Sequence, residues 1–241
     1  MTGGDAPLTL ERMLADAPAI HGEANSGESS LMTHGLVPEA LQFIERTVGP
    51  GDRTLETGSG YSTILFALLG AHHTCIVPNR PETERITAYL AEQGISADRV
   101  HFIVEPSERV LPKLELEPHD LVLIDGSHSF PQVFIDWFYV APALKVGGHL
   151  LIDDIHVWTG KVLRDVLVAE PEWELVTELH GRTAVFRKTA EVDPDRLWTE
   201  QRYVVRRSGG GVGTQARMAW SMLRHGQSAQ LRRLVRRRLR R

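Results

Sequence analysis

The stretch from Asp120 to His156, DLVLIDGSHSFPQVFIDWFYVAPALKVGGHLLIDDIH, limits what this chain can fold into more than any other. It reads as strand, loop, helix, turn, strand. The apolar run LVLI ends at Asp125, and a second run, HLLI, ends at Asp153 and Asp154. Between them FPQVFIDWFYVAPAL has the length and apolar spacing of a crossover helix, and KVGG supplies the turn back. A crossover of this kind is right-handed and puts both strand ends at the same edge of a parallel sheet. Open α/β sheets bind their ligands at that carboxyl edge. Three carboxylates are expected to converge there, an oxygen-rich set suited to a hard divalent cation. His128, three residues past Asp125, falls in the adjoining loop as a candidate base. The competing reading is that strand-end carboxylates only cap the helices that follow. Three of them together with a histidine argue against capping alone.

The rest of the chain extends this unit. A short helix is expected over 8–15, and 16–36, rich in Ala, Gly, Ser and Pro and carrying His21, Glu23 and His34, reads as an irregular lid or gate. PEALQFIERTVG has Pro at the first helical position and a Gly stop. The strand RTLET ends near Glu56, and Gly58 and Gly60 make a tight turn that opens the helix of GSGYSTILFALLG. Such a turn lets backbone approach a ligand, and a helix amino terminus favours anionic groups. HHTCIVP and RVHFIV follow as strands, with PETERITAYLAEQG as the helix between them and a short helix near SERVLPKL. After Asp154 a helix over 159–169 leads to the strands EWELVTEL and TAVFRK. Alternating strands and helices closed by a hairpin predict one doubly wound, Rossmann-like α/β domain over 37–190, between a 1–36 lid region and a 191–241 linker and tail.

Charge separates the body from the tail. All 31 acidic residues lie in 1–201, where 15 basic residues leave a net of −16, whereas 202–241 hold 12 arginines and no acid. Beyond a glycine hinge, Met218, Met222, Leu231, Leu234, Val235 and Leu239 recur at helical spacing among arginines. A basic amphipathic segment suits an anionic membrane surface or an acidic partner. A disordered tail that adheres to acidic surfaces is the plainer alternative. Nucleic acid is disfavoured, because beyond Trp220 no aromatics interleave with the arginines for base stacking and the body would repel phosphate. No run of about 18 apolar residues exists, and the amino terminus lacks a signal-like apolar core. Cys75 is the single cysteine, so no internal disulfide forms, and a cytoplasmic setting is expected, peripheral to a membrane if the tail binds one.

The loop E-x-G-x-G after a strand, with Glu56 two residues before Gly58, and the closing hairpin together resemble the class I S-adenosylmethionine-dependent methyltransferases over about residues 36–190. IDGSH, a GG turn and LIDD resemble, within that class, the metal-dependent O-methyltransferases of the catechol and macrolide-sugar (macrocin) types. The resemblance implies that Asp125, Asp153 and Asp154 hold Mg2+ and that His128 is the base, with metal ligation or a loop hydrogen bond as its other roles. It also implies that Glu56, Gly58, Gly60, Ser62, Asn79, Ser107 and Asp125 contact the cofactor. Two departures stand out. The acid that usually ends the second strand and accepts from the ribose hydroxyls is replaced by Val77 and Pro78, with Asn79 or Glu82 as substitutes able to accept such bonds. The acid usual near the adenine is missing from VEPSE, where Glu105 and Ser107 flank Pro106.

These residues suit methyl transfer to a hydroxyl. The sulfonium methyl is already activated, so the enzyme must align it and make a nucleophile from a weakly acidic alcohol. A cation lowers the alcohol's pKa, and imidazole, which ordinarily titrates near 6.5, takes the proton near neutrality. A vicinal diol chelates well, which points to a sugar or another polyol-like small molecule. A metal-independent transferase acting on nitrogen, a carboxylate or RNA, and a non-catalytic binding protein on the same fold, are the alternatives. A homo-oligomer is compatible with either class.

Overall fold

The computed structural model describes residues 7–21, 35–193, 196–208, 220–221 and 223–226. The chain divides into two compact units, Met1–Pro194 and Asp195–Arg241. In the first, five strands and their following helices alternate: β1 (Arg53–Thr57), β2 (His72–Ile76), β3 (Val100–Ile103), β4 (His119–Ile124) and β5 (Leu144–Ile152). The hairpin β6 (Trp173–Leu179) and β7 (Thr183–Lys188) closes the sheet. The strand order is β3-β2-β1-β4-β5-β7-β6, with β1 to β5 parallel and β7 antiparallel to both of its neighbours. Helices α1 (Leu10–Asp16), α2 (Pro38–Thr47), α3 (Tyr61–Leu68), α4 (Arg80–Glu92), α5 (Ser107–Val110), α6 (Gln132–Ala143) and α7 (Trp158–Ala169) complete the unit.

Alternation along the strands builds two cores, because successive side chains point to opposite faces. In β4, Leu121 and Leu123 pack with Leu41, Ile44, Phe66, Ile86 and Leu90 on one face, while Val122 and Ile124 pack with Val133, Val140, Leu163 and Phe186 on the other. Both faces of the sheet are thus covered, as parallel sheets require. The amino-terminal stretch belongs to the first core: Leu10, Met13 and Ile20 are buried in it.

KVGG, expected as a free turn, lies inside β5 instead. His119 pairs with Leu144 but Leu121 pairs with His149, so residues 145–148 bulge out without ending the strand. The far edge of β7 carries Lys188, which is fully buried. Its Nζ donates to the carbonyls of Ala141 (3.2 Å) and Leu144 (2.6 Å) and to Glu191 (2.8 Å). The carbonyls that α6 leaves unpaired at its carboxyl end therefore receive a cation from the next element.

In the second unit, α8 (Arg202–Arg207) has no buried residue, and Arg207 lies over the Tyr203 ring at 5.5 Å. The amphipathic positions from Met218 onward, apart from residues 220–221 and 223–226, lie outside the described residues, as do Glu23 and His34. Among the described residues no helix is long and apolar enough to cross a membrane.

Candidate functional site

The chain runs outward from β1 to β3 on one side and from β4 to β5 on the other, so β1 and β4 part at the switch point where such sheets bind ligands. The loops after these two strands touch. Gly58 has φ +99°, and a Cβ there would lie 2.2 Å from the Asp125 carbonyl oxygen, so only glycine fits. Gly60 is different: its nearest neighbour to a Cβ is His21 Nε2 at 3.5 Å, ordinary contact. Beyond the strand ends opens a cleft of about 1050 Å³. Thr57, Gly58 and Ser59 line it after β1, Ile76 to Asn79 and Glu82 after β2, Pro106 to Glu108 after β3, and Asp125 to His128 after β4. Asp154, His156, His180 and Arg182 complete the wall, with His21 from the amino-terminal segment.

Several expected cofactor contacts line this cleft: Gly58, Asn79, Ser107 and Asp125. Glu56, Gly60 and Ser62 do not. Glu56 is buried and accepts from Ser62 Oγ (2.6 Å), from Thr63 Oγ1 and from His73 Nε2 (3.0 Å). His73 is fixed in turn by Thr54 (2.8 Å) and stacked on Phe66. Cys75 Sγ, whose thiol burial pushes well up, donates to the Gly58 carbonyl (3.2 Å). Glu56, His73 and Cys75 bring one donor atom each within 4.8 Å of one another, the only such metal-competent group among the described residues. Each of those donors is already committed to the network that braces the glycine turn from behind.

The three aspartates reach the expected edge but are not drawn together to that distance. Asp153, nearly fully buried, accepts from Thr183 Oγ1 at 2.5 Å, while its Oδ2 has no hydrogen-bond partner. Asp154 turns the other way, because its φ of +52° swings the next peptide round. A Cβ at Gly160, in the first turn of α7, would lie 2.6 Å from the Asp154 carbonyl, so a glycine is needed there for the turn to close. Arg182, from the β6–β7 turn, spans the pair: its Nε lies 2.9 Å from Asp154 Oδ1 and 3.4 Å from Asp153 Oδ2. His128 Nε2 lies 3.0 Å from Asp154 Oδ2 and 3.9 Å from Asp125 Oδ1. Thr159 Oγ1 donates to the His128 carbonyl and so ties the two catalytic-edge loops.

The electrostatics follow from this crowding. Burial, and then the charges of Asp153, Glu56 and Asp154, push the Asp125 carboxyl well above the usual range. Burial likewise raises Asp153, with Asp154 adding to it. Burial also pushes Asp154 upward, but the hydrogen bond and charge of His128, with Arg182 and His156, outweigh it and hold Asp154 low. A buried carboxylate on α6, Asp136, has no hydrogen-bond partner and is raised by burial beside Ser107 and Thr57. Arg182, which sequence reasoning missed, comes from a hairpin turn that carries no local motif.

Residues 55–155 match a family described as a methyltransferase domain. The comparison with curated proteins gives no match. Among solved structures, the cofactor-bound protein Rv0187 from MTB is 20% identical with a TM-score of 0.58, covering 78% of this chain and 92% of its own. The O-methyltransferase TomG from Streptomyces achromogenes, solved with its methyl donor and involved in tomaymycin synthesis, is 19% identical at 0.54, covering 73% and 89%. An rRNA methylase from Streptococcus thermophilus is 15% identical at 0.51, covering 66% and 99%. At these identities the likeness is one of fold, and it spans acceptors as different as a small molecule and RNA. The strand order and these neighbours show a seven-stranded, Rossmann-like methyltransferase fold, within which residues 55–155 match the methyltransferase domain.

Proposed function

We propose that the protein methylates a hydroxyl of a sugar or another small polyol-like metabolite, with Asp125, Asp153 and Asp154 holding a divalent cation of the Mg2+ class and His128 acting as base. The observation that carries this reading is the histidine in the cleft wall, with Nε2 3.0 Å from Asp154 and 3.9 Å from Asp125. The donor set is all oxygen, from two adjacent strand ends, as a hard cation prefers, and Asp153 Oδ2 is buried without a hydrogen bond, 3.4 Å from Arg182 Nε. Asp125 and Asp153 are raised first by burial and then by neighbouring carboxylates, Asp153 acting on Asp125 and Asp154 on both, the condition that a bound cation relieves. When bound, such a cation supplies positive charge that acidifies the acceptor hydroxyl.

The chain's own residues do the rest. The turn at Gly58 lets backbone approach the cofactor, and Ser59, next in that turn, lines the same cleft. Asp154 orients the His128 ring. The His128 imidazole takes the hydroxyl proton as the methyl passes from sulfur to oxygen, and Asp154, 3.0 Å from Nε2, stabilises the imidazolium that results. The products are the methyl ether, S-adenosylhomocysteine and a protonated imidazole.

Arg182 favours a second reading. Its Nε already bridges Asp153 and Asp154, so a metal-independent transferase could use it as a permanent counter-ion, with nitrogen, a carboxylate or RNA as acceptor. Transfer of a labelled methyl from S-adenosylmethionine to a panel of glycosides and catechol separates the two. The first reading predicts O-methyl product that disappears in EDTA and returns with Mg2+. It also predicts that His128→Ala lowers kcat about 10²–10⁴-fold, with a residual rate that climbs with pH as hydroxide replaces the base. Full activity in EDTA and an unimpaired His128→Ala variant would leave only the second.

A further inference from the structure

We propose that Arg182 is an internal competitor of the divalent cation, a guanidinium that holds Asp153 and Asp154 until the cation takes its place. This rests on the reading of Asp125, Asp153 and Asp154 as the cation's ligands.

The oxygens of the acid pair are already engaged. Arg182 Nε donates to Asp154 Oδ1 at 2.9 Å and stands 3.4 Å from Asp153 Oδ2. His128 Nε2 stands 3.0 Å from Asp154 Oδ2, and Thr183 Oγ1 donates to Asp153 Oδ1 at 2.5 Å. Each oxygen of the pair therefore faces a protein donor. Thr183 and His128 can keep their places beside a cation, because a hydroxyl is neutral and an imidazole can be. A guanidinium cannot shed its charge in a protein. Two positive centres on the same carboxylate oxygens repel across a few ångström, in a site too buried for salt to screen them well. The charge of Arg182 also acts on Asp125, so all three acids feel it.

The side chain can leave without disturbing the fold. Arg182 lies in the β6–β7 turn, where its N–H donates to the Leu179 carbonyl at 2.9 Å and its carbonyl accepts from the Ile155 N–H at 2.8 Å. The second bond ties the hairpin to the step after Asp154, so main chain alone delivers the guanidinium to the acids. The side chain is 20% exposed and lines the cleft, which gives it room to withdraw. Without a cation, Arg182 offsets charges whose burial is costly when they are unpaired. With one, the exchange lowers the apparent affinity, because the cation must displace a charge-assisted hydrogen bond.

Calorimetric titration of the full-length protein, stripped with EDTA, with Mn2+ tests this. Arg182→Met keeps the backbone bonds and most of the aliphatic stem but removes the charge. It should bind Mn2+ about 10- to 100-fold more tightly than wild type, the scale of a hydrogen bond to a charged group. The gain should persist in about 0.5 M salt, where repulsion from a distant charge is screened. Arg182→Lys, which keeps a charge, should gain less. The wild type supplies a check that needs no variant to fold well: by nuclear magnetic resonance, the Arg182 Nε–H should resist solvent exchange in EDTA and lose that protection on saturation with Mg2+. If wild type binds Mn2+ and Arg182→Met binds it no more tightly, the inference is overturned while the cation reading stands, and Arg182 is a fixed part of the site. A gain that vanishes in salt overturns it too, as does Nε–H protection that survives saturation. If neither protein binds Mn2+ at millimolar concentration, the cation reading falls and the inference with it.

Discussion

Asp125 is the residue at which the site's internal conflict is greatest. It is surrounded by Asp153, Glu56 and Asp154, and only Arg182 offsets them among the groups that shift it. Its native pKa lies above its unfolded value, as does that of Asp153. Below the unfolded value, about 3.9, both states hold the proton and nothing is lost. As pH rises through the native value, the unfolded chain has already released its protons while the fold still binds them, so this contribution to stability disappears. Asp154, held low, behaves oppositely: its contribution is present above the unfolded value and fades as acid is added. Asp125→Asn should therefore melt higher than the metal-free wild type at pH 7, by about 2–4 °C for each 1 kcal/mol relieved. The gap should close toward pH 4. A variant that melts lower than wild type at pH 7 would show that Asp125 is stabilised by partners rather than strained by them. At this scale the sequence carries the aspartates and His128, because strand ends can be read from apolar runs. It does not carry Arg182, whose approach to the acid pair depends on how β6 and β7 register against β5. It also suggests Glu56 as a ligand contact, whereas burial turns that carboxylate toward Ser62, Thr63 and His73.

Elements are positioned by a few contacts that hydrophobic periodicity does not encode. Alternating apolar runs predict β1 to β7 and their helices with small shifts at the ends, since both faces of the sheet must be covered. The bulge at 145–148 escapes such reasoning: glycines that look like a free turn serve instead to kink a continuous strand. Lys188 escapes it too, since a lysine at the end of a strand ordinarily points to solvent. Here it joins β7 to the carboxyl end of α6 through the carbonyls of Ala141, Pro142 and Leu144, with Glu191 as its counter-ion. Lys188→Met keeps the length of the side chain and removes every donor. Two buried carbonyls then lose their partner, and the expected cost is about 2–3 kcal/mol, measured by urea unfolding. A loss below about 0.5 kcal/mol, the range of ordinary surface substitutions, would mean that water serves those carbonyls as well as the lysine does.

On the scale of the whole molecule, net charge changes sign along the sequence, from −16 over 1–201 to +12 over 202–241. The doubly wound class is legible from the alternation of strands and helices, but the insertion of β7 between β5 and β6 is not, because local pattern does not order strands in a sheet. We propose that residues 202–241 bind anionic surfaces, given 12 arginines and no acid there. Truncation after Ser208 should leave turnover of a soluble acceptor nearly unchanged and abolish salt-sensitive binding to phosphatidylserine vesicles. Full-length protein that ignores such vesicles at low salt would refute that role. The central claim concerns the opposite end of the molecule's chemistry, the three carboxylates and the cation they are proposed to hold. Its most direct test is Mn2+ titration of the full-length protein followed by electron paramagnetic resonance, alongside Asp153→Asn and Asp154→Asn. The account predicts about one Mn2+ per chain, displaced by Mg2+ and weakened in each variant, because an amide cannot supply the carboxylate's charge. A wild type that binds no Mn2+ at millimolar concentration, or variants that bind it as well as wild type does, would contradict it.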